Sequence, residues 1–215
     1  MKRNLTLLFL ILSLVVYAQE RPFWKDIQAF KAQDSLHAPP KNAIVFVGSS
    51  SFTMWKDVQQ YFPEHPIINR GFGGSSLPHV IAYANDIIIP YQPKQVVIYC
   101  GENDFMNDTV TSEIVTDRFV TLFNIIRNAL PKADIVFISM KPSPSRARLM
   151  PQIASANTAI ADFLKKKPRT AFVDIWKPML DEQGAPRKEL FLKDMLHMNK
   201  QGYAIWQKAL EPHLK

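Results

Sequence analysis

The 215-residue chain holds a single cysteine, Cys100, so no internal disulfide can form and stability has to come from a packed core. It also lacks internal repeats and low-complexity tracts, which removes solenoid, fibrous and disordered architectures. Positive charge is in excess, +7 at neutral pH, yet no basic block is longer than Lys165-Lys166-Lys167 and no aromatics interleave with a basic stripe. A nucleic-acid partner is therefore not expected. The Gly-rich segment ending at Gly74 is no dinucleotide fingerprint, because Ser76 stands where a third glycine would have to be, and there is no Walker lysine. His37, His65, His79 and His213 have no companions at metal-ligand spacing and read as structural or solvated, so neither a metal nor a cofactor is expected.

What is present suits one α/β domain. Hydrophobic residues make up 47% and charged residues 21%, close to the globular average. Lys2 and Arg3 precede an uncharged, largely apolar run from Leu5 to Ala18, shorter than the ~20 apolar residues of a spanning helix. That reads as a secretory signal peptide over residues 1–18, leaving a single domain over 19–215 that is exported to the periplasm or the extracellular space and not retained in the membrane. Cleavage removes Lys2 and Arg3 and no acidic residue, so the formal charge falls by two, from +7 to +5.

Along the mature chain, apolar runs rich in β-branched residues recur at Ala43 to Val47, Pro66 to Asn69, Gln95 to Cys100, Asp134 to Ser139 and Thr170 to Asp174, the pattern of strands buried on both faces. Helical periodicity fills the intervals. An outer helix carries Trp24, Ile27 and Phe30 and ends before Pro39-Pro40; others span Phe52 to Tyr61, Leu77 to Ile88, Ser112 to Leu130 and Gln152 to Lys167. Asn199 caps a last helix that turns Tyr203, Trp206 and Leu210 inward. The alternation predicts an α/β three-layer sandwich around a five-stranded parallel sheet, with ligands at the carboxyl ends of the strands.

Polar segments at those ends carry the parts of an acyl-transfer site, which needs a nucleophile, a base, a group to orient the base, and donors for an oxyanion. Ser50, in Gly48-Ser49-Ser50-Ser51, falls between a buried strand and a helix start; taken alone, the segment also describes a helix cap. Asp194 and His197 are three residues apart, so the carboxylate can accept from one ring nitrogen while the other faces a hydroxyl, although a surface cap has the same spacing. The loop Gly71-Phe72-Gly73-Gly74 offers exposed backbone N–H groups. Asn103 in Gly101-Glu102-Asn103-Asp104 offers an amide, and Asp104 can brace its loop by accepting from backbone N–H groups.

Read in order, Gly48-Ser49-Ser50, Gly74, Gly101-x-Asn103-Asp104 and Asp194-x-x-His197 resemble the four blocks of the SGNH hydrolases, or GDSL lipases and acylhydrolases, from about Ile44 to His197. The segment Asn69 to Gly74 is most similar to the branch near the platelet-activating-factor acetylhydrolases. The resemblance implies a flavodoxin-like fold, Ser50 as nucleophile, and His197 as base oriented by Asp194. It further implies an oxyanion hole from the Ser50 N–H, the Gly74 N–H and the Asn103 side chain. Ser49 replaces the family's usual aspartate, which puts loop support in question and leaves the triad intact. The Gly-x-Ser-x-Gly elbow of the α/β-hydrolases is absent, since position 52 is Phe52.

The implied substrate is a small-molecule, glycan or lipid ester. Without a long lid insertion the site suits a short acyl group such as acetyl; a lysophospholipase or thioesterase acting on longer chains is the alternative, and a non-catalytic binding module on the same fold is a third reading. Phe105 and Met106 beside Asn103 could line an acyl pocket or fill core. Arg146 and Arg148, in the Pro-containing loop after the fourth strand, could meet an anionic group or lie in solvent.

Overall fold

The computed structural model describes residues 21–215, so the leader expected over 1–18 lies outside the described residues. The apolar runs form β1 (Ile44–Gly48), β2 (Ile67–Gly71), β3 (Gln95–Tyr99), β4 (Asp134–Ile138) and β5 (Thr170–Val173). They make one all-parallel sheet in the order β2-β1-β3-β4-β5. This is the α/β sandwich that the alternating pattern predicts.

The helices are α1 (Trp24–Leu36), α2 (Ser50–Met54), α3 (Val58–Tyr61), α4 (Leu77–Ile87), α5 (Ser112–Ala129), α6 (Met150–Leu164) and α7 (Lys200–Leu210). Strand alternation sends Val45 and Val47 to one layer, where they pack with Ile27, Leu77, Phe119, Ile126 and Ile160 of α1, α4, α5 and α6. Ile44 and Phe46 face the other layer, with Phe52, Trp55 and Val58 around α2 and α3 and Tyr203, Trp206 and Leu210 of α7. In that layer Trp55 stacks on Tyr203 at 4.8 Å, joining the end of α2 to α7, and Tyr99 of β3 meets Trp206 of α7 edge-on at 4.5 Å. Such ring pairs add about 0.5–1.5 kcal/mol each beyond their buried area. No helix of the described residues is long and apolar enough to cross a membrane.

One helical expectation is corrected. Residues 52–61 are two short helices, because the buried Trp55 leaves helical geometry at φ −83° and ψ 62°. The Asn69 side chain reaches from β2 and donates to the carbonyls of Phe52 at 2.7 Å and Trp55 at 3.4 Å. Orphan carbonyls at the end of α2 are thereby satisfied, and the helix stops. Elsewhere α7 begins as expected, Asn199 accepting from the N–H groups of Gln201 and Gly202.

The sheet order reverses at β1, from which the chain passes to β2 on one side and then to β3 on the other, so the connections after β1 and β3 diverge at its carboxyl end. That crevice is where open α/β sheets bind ligands, and the Gly48-Ser49-Ser50 segment opens into it.

Candidate active site

Close approach of β1 and β3 sets the first part of the site. Gly48 has φ +147°, and a Cβ there would lie 1.8 Å from the Tyr99 carbonyl oxygen, so only glycine fits. The chain then turns through Ser49, whose N–H donates to Tyr99 O at 3.1 Å and whose carbonyl accepts from the N–H groups of Phe52 and Thr53. Ser49 thus supports the turn through its backbone. Ser50 is the first residue of α2, so its N–H lies outside the intrahelical ladder, and it has no hydrogen-bond partner among the described residues.

The Ser50 hydroxyl lies 3.0 Å from His197 Nε2, and His197 Nδ1 lies 2.6 Å from Asp194 Oδ2. The second Asp194 oxygen accepts from the backbone N–H of Leu196 at 3.0 Å and of His197 at 2.9 Å. Met195, at φ +55°, makes this tight turn possible. The turn is tied back through Leu192 N–H to His197 O at 2.8 Å and an isolated antiparallel bridge between Phe191 and Met198. Burial opposes ionisation of Asp194, but the bonds from the His197 ring and the two backbone N–H groups outweigh it and hold its carboxyl at about 2.

Gly74 follows β2 with φ +80°, a conformation favouring glycine, and its N–H likewise has no partner among the described residues. Phe23 packs beneath it, edge-on to Phe72 at 5.3 Å and to His79 at 4.7 Å. The Asn103 amide donates to Ser75 O at 2.8 Å, which commits one of its two N–H bonds and leaves the other. Its Oδ1 accepts from the Arg146 guanidinium at 2.7 Å. Asp104 is buried, accepting from Leu77 N–H at the start of α4 at 2.9 Å and from Arg118 at 2.7 Å. Burial pushes the Asp104 carboxyl up, and those two bonds work against the rise.

The structure therefore brings Ser50, Asp194 and His197 into contact, with Gly74 and Asn103 on the neighbouring loops. Arg146 joins them, whereas Arg148 is exposed beside Asp108. Phe105 is core, whereas Met106 is 55% exposed and fills none. Cavities of about 410 and 620 Å³ lie beside α6 and β5 and within residues 180–189; the triad lines neither. Among the described residues no cluster of three or more His, Cys, Asp or Glu side chains is arranged to hold a metal ion.

Sequence reasoning missed a buried polar network directly behind the site. Lys141 Nζ donates to Glu102 at 3.1 and 3.2 Å, to Tyr99 Oη at 3.1 Å and, more distantly, to Ser51 Oγ at 3.5 Å. Tyr99 in turn donates to Glu102. Lys141 and Glu102 are 2% and 4% exposed, so each is the other's main compensation for lost solvent. Burial pulls the Lys141 amine down, and Glu102 pushes it back up. Nothing in the local pattern distinguishes this lysine from a solvated one; its position at the carboxyl end of β4 is the only clue.

The chain matches the model of the GDSL-like Lipase/Acylhydrolase family over residues 40–205. Solved structures share the fold. A Streptococcus pneumonia protein named for platelet activating factor is 20% identical with a TM-score of 0.78, over 89% of this chain and 92% of that one. A GDSL-like lipase from Bacteroides thetaiotaomicron is 20% identical with a TM-score of 0.75, over 87% and 96%. A carbohydrate esterase family 3 protein from Talaromyces cellulolyticus is 14% identical with a TM-score of 0.66, over 80% and 95%. Among curated proteins no relative matches the chain.

Proposed function

Because the chain belongs to the GDSL-like lipase/acylhydrolase family of carboxylic ester hydrolases, we propose that it removes a short acyl group, such as acetyl, from a carbohydrate or similar ester through an acyl-enzyme on Ser50. One observation carries the reading: an unbroken line of contacts from Asp194 through His197 to Ser50, at 2.6 and 3.0 Å, beside two backbone N–H groups without partners among the described residues. In this scheme Ser50 Oγ attacks the ester carbonyl carbon while its proton passes to His197 Nε2. The oxyanion is met by the N–H groups of Ser50 and Gly74 and the uncommitted N–H of Asn103. Collapse breaks the C–O bond, and His197 returns the proton to the departing alcohol. Water, activated by the same imidazole, then releases the acid and restores Ser50. Asp194, ionised throughout, keeps the ring oriented and stabilises the imidazolium.

The partial exposure of the Asp194 and His197 side chains suits a bulky alcohol, and the likeness to a carbohydrate esterase supports a sugar as that alcohol. A second reading, hydrolysis of longer acyl chains, is favoured by three exposed apolar residues on the segments that carry the site. Met54 lies one helical turn beyond Ser50, Met106 three residues after Asn103, and Leu192 donates its N–H to His197 O. The reading includes export of the mature domain after loss of residues 1–18.

Its test is a p-nitrophenyl ester series of increasing chain length with labelling by a fluorophosphonate. Ser50→Ala should abolish labelling and nearly all turnover, while Ser49→Ala and Ser51→Ala keep labelling. Turnover falling steeply beyond the shortest esters supports the first reading; turnover rising with chain length transfers the assignment to the second. Labelling that survives Ser50→Ala refutes the nucleophile assignment itself.

A further inference from the structure

An asparagine amide is nearly symmetric in shape and opposite in function at its two ends. Turned one way, Asn103 offers N–H to a developing oxyanion; turned the other way, it sets Oδ1 lone pairs against that charge. The backbone carbonyl of Ser75, 2.8 Å from Nδ2, favours the first orientation. The guanidinium of Arg146, 2.7 Å from Oδ1, enforces it, because arginine carries donors only and can pair with no other atom of that amide.

We propose that Arg146 is a positioning residue for ester hydrolysis: it locks the Asn103 amide in the donating orientation and polarises it. This rests on the reading of Asn103 as an oxyanion donor. Two further observations bear on it. The bond is charge-assisted and runs to the amide oxygen, so it draws electron density toward Oδ1 and makes the uncommitted N–H a stronger donor. The turn that carries Arg146 is also anchored to the other half of the site, since Ser145 N–H donates to Met195 O at 3.0 Å, inside the Asp194-Met195-Leu196-His197 turn. Arg146 N–H itself closes the turn onto Ser143 O at 3.1 Å. One short segment after β4 thus holds the amide on one side and the Asp–His turn on the other. Asn103 Oδ1 is the only hydrogen-bond partner of the Arg146 side chain among the described residues, so no competing ion pair draws the guanidinium away.

The test is a double-mutant cycle on Arg146→Met and Asn103→Ala, with Arg146→Lys as the conservative variant, read as kcat and KM on neutral p-nitrophenyl acetate and on an anionic p-nitrophenyl hemiester. Asn103→Ala should lower kcat by about 10²-fold, the usual effect of losing one oxyanion donor. Arg146→Met should lower kcat by about tenfold, the scale of one charge-assisted hydrogen bond, with KM on the neutral ester changed less than about twofold. In the Asn103→Ala background the same change should cost less than about twofold more, because the group that Arg146 acts through is gone. Arg146→Lys should recover part of the rate, and melting temperatures of the Arg146 variants should stay near that of the parent. Losses that multiply in the double variant overturn the proposal, as does an effect confined to KM on the anionic hemiester, which makes Arg146 a substrate-binding residue. If Asn103→Ala alone leaves kcat unchanged, the oxyanion reading fails with it; if Asn103 matters and Arg146→Met is silent, only the role of Arg146 fails.

Discussion

Replacing Lys141 by methionine removes the cation that compensates Glu102 and nothing else of comparable size. Both side chains are almost wholly buried, and the ammonium lies 3.1 and 3.2 Å from the two carboxylate oxygens. Breaking one side of such a pair costs about 3–5 kcal/mol, because the remaining charge stays buried without its partner. For a domain of this size each kcal/mol moves the melting temperature by roughly 2–4 °C, so Lys141→Met should melt some 6–20 °C lower. The pair need not be strongly stabilising for this to hold. Lys141→Met combined with Glu102→Gln leaves a neutral amide able to accept from Tyr99, and it should recover most of the loss. Differential scanning calorimetry of the parent, both single variants and the double variant reads the coupling directly. A Lys141→Met protein melting within about 2 °C of the parent, or a double variant that falls by the sum of the singles, refutes the assignment of these residues as one compensated unit.

Two further outcomes follow from the site and from the proposed export. The Asp194 carboxyl is held at about 2 against an ordinary value of 3.8. A depressed folded value means that the stabilisation is fully present above the unfolded value and is lost as pH falls toward 2. Asp194→Asn should therefore flatten that acid limb, seen as urea midpoints that vary less between pH 2 and 5 than those of the parent; an unchanged slope removes the interaction from the account. Intact-mass analysis of exported protein should give a chain beginning at Gln19, and recovery of only full-length protein from membranes contradicts the export reading.

How much was legible beforehand follows from where the information resides. A strand covered on both faces must be apolar throughout, so Ile44 to Val47 and Val96 to Ile98 announce themselves locally, and the order of helices between them leaves few topologies. The grouping of Ser50, Asp194 and His197 was legible only through the resemblance of four short blocks taken in order, since each segment by itself reads equally as a helix cap; the structure lays the three side chains in contact. The break at Trp55 was not, since it depends on a side chain from the next strand, Asn69, capturing two carbonyls. Arg146 and Arg148 look alike in sequence; only the fold lays one of them against Asn103 and leaves the other beside Asp108 in solvent. Lys141 and Glu102 were invisible for the same reason, being 39 residues apart with no periodicity joining them.

The contact between His197 and Ser50 spans 147 positions of the chain, and the last strand ends at Val173, well before His197. During vectorial synthesis the five strands and Ser50 are therefore delivered first, and His197 arrives later, on the turn just before α7. Until then the Ser50 hydroxyl lacks its imidazole partner, and the layer that receives Trp206 stands open. The Ser50–His197 contact is consequently one that the chain acquires late in its making, together with the closure of its second core.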